Sequence, residues 1–225
     1  MKRILLLLSI VLLTSCSNSK NSSEFMNSVK GKYLFNSDES IGISFVNDEM
    51  IVSWRGNNNI KPLKVNDSTF YIKDMNEKFV FNLKPTIYIE LAEKREHKGK
   101  KYKFIKLQEG QKTPIEYFLN KEYTKALEGY LAIQKKDSLD KAINQRTINR
   151  LGYQLLNERK YNEAIEIFKI NTKLHPKTSN TYYNLANAYL RNKDTLKAVT
   201  FYKKALSINP ENSSSKRMLT KITKK

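Results

Sequence analysis

Between residues 145 and 212 the chain repeats itself every 34 residues, and that period constrains the fold more than any other feature. Aligned on Ala164 and Ala198, Leu151 falls on Leu185, Gly152 on Ala186, Phe168 on Tyr202 and Pro176 on Pro210. Apolar residues recur at helical spacing inside each unit, so each reads as a pair of helices, with the proline just past the second. The small residues at 152, 164, 186 and 198 mark where paired helices must cross closely. One such unit cannot cover its own apolar face. Neighbouring units therefore stack into a solenoid.

The pattern resembles the tetratricopeptide repeat, which places an aromatic, Leu-Gly, Tyr, Ala, Phe, Ala and Pro at fixed offsets. In the unit at about 179–212, Tyr182, Leu185, Ala186, Tyr189, Ala198, Tyr202, Ala205 and Pro210 stand at those offsets. In the unit at about 145–178 the set is Ile148, Leu151, Gly152, Leu155, Ala164, Phe168, Asn171 and Pro176. Its departures are Ile148 for an aromatic, Leu155 for Tyr and Asn171 for Ala. A degenerate unit at about 114–138 carries Tyr123, Ala126, Leu127, Tyr130 and Ile133, but Ala126 lies 38 residues before Ala164. Its first helix is the stub after Thr113 (N-cap) and Pro114. A capping helix at about 213–222, with Met218, Leu219 and Ile222, closes a helical domain of 113–223.

Upstream the period changes to two. Ile41, Ile43 and Phe45, then Met50, Val52 and Trp54, are separated by the turn residues Asn47-Asp48. Leu63/Val65, Phe70/Ile72, Phe79/Phe81/Leu83, Ile87/Ile89/Leu91 and Tyr102/Phe104 continue the alternation. Such runs, bounded by Asn, Asp, Gly or Pro, predict seven or eight antiparallel strands with one buried face. The fold class is therefore α+β in two domains: a small antiparallel β-meander or barrel at 25–108, followed by the helical solenoid. Trp54 and the Phe residues are read as β-core.

Gly31-Lys32-Tyr33, the hairpins around Ile43 to Trp54 and the strand Lys101 to Leu107 resemble a small domain appended to class C β-lactamase-like serine hydrolases. That resemblance implies an alternative role: an accessory or remnant domain acting with a separate catalytic chain. The chain itself is read as non-catalytic. Ser-x-x-Lys occurs at Ser17 to Lys20 and Ser213 to Lys216, in the tether and the cap, without partner motifs. One Cys and two His, at 97 and 175, exclude Cys-rich or His-rich metal sites, and no cofactor is implied. His175 is assigned to the dipole of the helix it ends.

Met1-Lys2-Arg3 and the apolar stretch Ile4 to Leu13 form an export signal too short to span a bilayer. It ends in Leu13-Thr14-Ser15-Cys16, which resembles the bacterial lipobox. The resemblance implies cleavage of 1–15 and acylation of Cys16. At about 0.8 kcal/mol per buried methylene, two or three acyl chains anchor permanently. Residues 16–24 then form a flexible tether, and the chain is placed in the bacterial cell envelope, with the outer membrane preferred over the inner. The formal charge is +19, from 33 Lys and 8 Arg against 22 acids. Dispersed Lys on an exported chain argues against nucleic acid. The densest run, Lys94 to Lys106, reads as a solvated β-edge or hairpin, with anionic headgroups as the alternative ligand.

The repeats make a binding adaptor the leading function. By the family's groove offsets, Arg146, Asn149, Arg150, Tyr153 and Asn157 line a concave face with Asn180, Tyr183, Asn184, Asn187 and Arg191. Arg and Asn can fork to carboxylate or peptide backbone, and Tyr adds rigid contact area. The set loosely resembles the clamp that grips acidic C-termini in some repeat proteins. The expected partners are a lipid bilayer, through Cys16, and an unknown protein or peptide, possibly acidic.

Overall fold

A computed structural model describes residues 20–224. The expected export signal and the acylation expected at Cys16 lie outside these residues. By contacts the described residues divide into a β unit (20–33 and 41–106) and a helical unit (34–40 and 107–224).

The β unit begins with a helix that the period-two reading passes over. Helix α1 (Ser23–Val29) is capped by Ser22, whose Oγ accepts from Phe25 N at 3.2 Å. The segment before it is held as well. Asn21 Nδ2 donates to the Asp48 carbonyl at 2.8 Å, and Lys20 pairs with Asp48 at 3.5 Å. The expected tether over 16–24 is thus ordered from Lys20 onward. The reason lies in Phe25 and Val29, spaced four apart, which turn one helical face into the sheet. Phe25 stacks on Phe70 at 5.7 Å and meets Phe81 and Phe45 edge-on at 5.6 and 6.4 Å. Burying a Phe of this kind contributes about 1.5–3 kcal/mol.

Among the described residues nine strands form one antiparallel sheet: β1 (Gly31–Asn36), β2 (Glu39–Val46), β3 (Glu49–Trp54), β4 (Asn57–Ile60), β5 (Leu63–Lys64), β6 (Thr69–Ile72), β7 (Glu77–Asn82), β8 (Tyr88–Leu91) and β9 (Lys103–Lys106). Their order is β4-β3-β2-β1-β9-β8-β7-β6-β5. The two edge strands, β4 and β5, are consecutive in the chain, so the sheet curls into a half-barrel around α1. Alternation sets the buried face: Ile41, Ile43, Val52, Phe70, Ile72, Phe79, Phe81, Ile89 and Phe104 are buried, whereas Trp54 is half-buried beneath the Arg55 guanidinium at 4.3 Å. Asn47 and Asp48 both adopt positive φ (51° and 65°), the twist a two-residue hairpin needs. The Lys-rich strand is not an edge. β9 lies between β1 and β8, and the basic loop before it is tied down by Lys94 Nζ on the Asn76 carbonyl at 2.7 Å.

In the helical unit, three helix pairs follow one another: α2 (Pro114–Leu119) with α3 (Tyr123–Lys136), α4 (Gln145–Asn157) with α5 (Tyr161–Leu174), and α6 (Ser179–Arg191) with α7 (Thr195–Ile208). α8 (Ser213–Thr223) closes the series. Each pair turns through a left-handed residue, Lys121, Arg159 and Lys193, at φ 62°, 59° and 64°. Thr113 caps α2 in a reciprocal box with Glu116, and Pro114 takes the first turn. The small residues sit where the helices cross: Ala126, Ala164, Ala186 and Ala198 are all fully buried. The spacing of 38 is explained by the link from α3 to α4. Residues 137–144 replace a four-residue link at 175–178, and the added length holds a 3-10 turn (Lys141–Ile143) that buries Ile143. His175 reaches this turn, its Nε2 lying 2.8 Å from the Ile143 carbonyl. That bond, rather than the helix dipole alone, accounts for His175.

The helical unit also holds residues 34–40. Asp38 accepts from Ile115 N at 2.6 Å and from Tyr130 Oη at 2.8 Å, and Ser40 Oγ donates to Glu116 at 2.9 Å. Ser37 Oγ donates to Asp140. Burial outweighs these donors and raises the Asp38 carboxyl from 3.8 to about 7.

Candidate functional site

The first helices of the two full repeats carry every residue assigned to the groove. On α4, Arg146, Asn149, Arg150, Tyr153 and Asn157 recur at three- and four-residue steps, which keeps them on one face. On α6 the same steps hold Asn180, Tyr183, Asn184, Asn187 and Arg191. The ten residues divide into two groups by what their polar atoms do.

Asn149, Asn180, Asn184, Asn187 and Tyr153 hold the helices to one another. Tyr153 Oη donates to Asn184 Oδ1 at 2.6 Å, and Asn184 Nδ2 donates to Asn149 Oδ1 at 2.9 Å. The same Asn149 oxygen accepts from Asn171 Nδ2 of α5 at 2.8 Å. Asn184 is only 4% exposed, so its amide is a structural element of the stack. Asn187 Oδ1 accepts from Tyr202 Oη at 3.0 Å, and Asn180 Oδ1 from Asn212 Nδ2 at 3.3 Å. Tyr183 packs against the Tyr202 ring at 5.7 Å, as Tyr153 does against Phe168 at 5.6 Å. The Tyr153 hydroxyl titrates above its ordinary value, chiefly through burial and further through Tyr183, while nearby Arg191 opposes the rise.

The network explains Asn171, the polar residue standing where the repeat pattern has Ala. Leaving a buried amide donor without a partner costs about 1–3 kcal/mol, and Asn149 accepts from Asn171 Nδ2, although Asn171 Oδ1 is buried without a partner of its own among the described residues. The residues that sequence reasoning missed are Asn171, Tyr202 and Asn212, which donate to the groove asparagines from the second helices and the cap. The signal was present at position 171 as a departure from the pattern.

Arg146, Arg150 and Arg191 form the other group. All three are exposed and make no ion pair among the described residues. Asn157 is exposed as well. Arg146 and Arg150 stand one turn apart on α4, so their guanidinium forks can address one acidic group. The face is basic, with amide dipoles locked beneath it. Among the described residues no group of three or more His, Cys, Asp or Glu is placed to hold a metal ion. Ser213, of the second Ser-x-x-Lys match, is exposed on α8, and Lys216 pairs with Glu211 at 3.3 Å.

Residues 179–212 match the family model of the tetratricopeptide repeat. The chain is 34% identical over 100 residues to the photosystem I assembly protein Ycf3 of Prochlorococcus marinus, in strains NATL2A and NATL1A. The match covers 43% of this chain and 57% of those proteins, so the chain spans little more than half their length. Among solved structures it is similar to the first tetratricopeptide domain of human RPAP3 (18% identity, TM-score 0.35, 49% of this chain and 84% of that one). The second RPAP3 domain, solved with the HSP70 peptide SGPTIEEVD, has 21% identity, a TM-score of 0.35 and coverage of 50% and 90%. The MamA protein has 20% identity, a TM-score of 0.33 and coverage of 49% and 58%.

Proposed function

We propose that this chain is a lipid-anchored, non-catalytic adaptor of the bacterial envelope whose repeats hold an acidic protein or peptide segment across α4 and α6. The observation that carries the reading is the division of the groove. Asn149, Asn184 and Tyr153 bond to one another and preorganise the face, while Arg146, Arg150 and Arg191 remain exposed and without carboxylate partners among the described residues. Preorganised donors bind with less entropy lost on association. The match of 179–212 to a repeat used for protein binding, and relatives that are assembly proteins by name, support an adaptor over an enzyme. Acylation of Cys16 supplies the anchor, with the outer membrane as the preferred site.

The test is binding of an acidic peptide, read by fluorescence anisotropy. Arg146→Ala with Arg150→Ala is expected to weaken it by about 1.5–3 kcal/mol, the range for hydrogen bonds to charged groups. Added salt is expected to weaken the parent more than the variant. A partner captured from source membranes that binds the double variant undiminished refutes the groove as its site.

A further inference from the structure

The strand order places the turns of the β unit at two ends. The Asn47-Asp48 turn, the segment 61–68 and the loop 83–87 fall at one end, and the Arg55-Gly56 turn, residues 73–76 and the basic loop 92–102 at the other. The described chain enters at the first end: Lys20 and Asn21 are bonded to Asp48, and Lys64 Nζ reaches the Lys20 carbonyl at 3.5 Å. Two adjoining clefts there share Lys20, Asn21 and Lys64, and their rims include Leu63 and Leu83.

This end is unusually apolar. Among the described residues the β unit exposes five large apolar side chains, and four lie here: Val46 at 58%, Leu63 at 64%, Val65 at 51% and Leu83 at 40%. Three of its carboxylates are matched by a lysine, Asp48 by Lys20, Glu49 by Lys61 at 3.7 Å and Asp67 by Lys64 at 3.1 Å. Exposed Lys84 adds a cation beside Leu83. Net repulsion from an anionic surface is thereby removed, and apolar tips ringed by Lys suit the boundary between headgroups and acyl chains.

We propose that this end of the β unit is a bilayer-contacting face, with Val46, Leu63, Val65 and Leu83 entering the interfacial layer. The inference rests on the reading of Cys16 as acylated, and chain length then selects the lipid as occupant. From Cys16 to Lys20 is four residues, a reach of at most about 14 Å. The headgroup layer takes up about 5–8 Å of that, so the end where Lys20 is fixed stands within several ångströms of the headgroups. The basic loop at the far end is held away from them.

The experiment uses the full-length protein in vesicles of phosphatidylethanolamine and phosphatidylglycerol. Single environment-sensitive fluorophores are placed at Leu63→Cys, Leu83→Cys or, at the far end, Lys98→Cys. All three positions are exposed, and circular dichroism verifies that each variant is folded. Lipids spin-labelled high on the acyl chain are expected to quench most of the emission at positions 63 and 83 and little at 98. Intact mass separates the premise from the inference. A mature chain without acyl mass refutes the anchor and this face with it. Acylated, vesicle-bound protein whose labels at 63 and 83 are no more quenched than at 98 refutes the face alone, whether that end is then bare or covered by a second copy.

Discussion

Gly152 lies under the ring of Phe168, and the contact allows a test whose sign changes with background. A Cβ built on Gly152 would lie 2.4, 2.5 and 2.9 Å from the Cζ, Cε1 and Cε2 atoms of Phe168. Ordinary carbon contacts are about 3.5–4.0 Å, so the ring must retreat by roughly 1 Å or more. It has little room, being fully buried and edge-on to Tyr153 at 5.6 Å. Overpacking of this kind costs about 1–3 kcal/mol. Replacing a mid-helix Gly with Ala returns about 1 kcal/mol. Gly152→Ala is therefore expected to destabilise the helical unit by about 0–2 kcal/mol, the difference of these two terms. With Phe168→Leu already present the clash is gone, and the same change should stabilise by about 1 kcal/mol. Urea unfolding of the four proteins, followed by ellipticity at the helical minimum, yields a coupling of about 1–3 kcal/mol. A Gly152→Ala effect equal in both backgrounds would mean the two positions do not touch, and the phase of the repeats would fall.

Ala164→Leu and Ala198→Leu are each expected to cost about 1–3 kcal/mol in the same assay, whereas Leu at exposed Lys203 stays within about 0.5 kcal/mol. For Asp38, a carboxyl raised from 3.8 to about 7 contributes stability that is fully present below 3.8 and lost as pH rises through about 7. The urea midpoint of the helical unit should therefore fall between about pH 4 and 7, and Asp38→Asn should flatten that fall. Cys16→Ala is expected to abolish membrane association and leave both units folded; detergent-phase partitioning of the variant would contradict the anchor.

The repeats were legible because their requirements are steric. A helix crossing admits only Gly or Ala, and Pro ends a helix, so positions 152, 164, 186, 198, 176 and 210 declare the period directly. The half-barrel was legible as alternation, though its strand count was not: β4 is three exposed Asn before Ile60 and β1 buries only Tyr33, so neither shows a period. Helix α1 was hidden for a related reason. Seven residues with only Phe25 and Val29 buried give too short an amphipathic signal, and what fixes the helix is the concave face it fills. The link at 137–144 was visible only as a wrong spacing, since its 3-10 turn is set by Ile143 finding the core.

The groove shows where reading by residue type stops. Asn and Arg at groove offsets look alike in sequence, as donors awaiting a ligand. Burial separates Asn149 and Asn184 from the arginines. Asn149 and Asn184 sit low enough on their helices to meet Asn171 and each other, and a short amide at that depth must bond within the protein. Arg146, Arg150 and Arg191 have side chains long enough to leave that layer, and their desolvation would cost far more than an amide's. The same offsets therefore yield a polar floor bonded within the protein and an exposed cationic rim. Removing the floor, as in Asn149→Ala, would loosen the stack before it touched recognition, and removing the rim would do the reverse. Only the second kind of change bears on the partner, which is why the arginines carry the test.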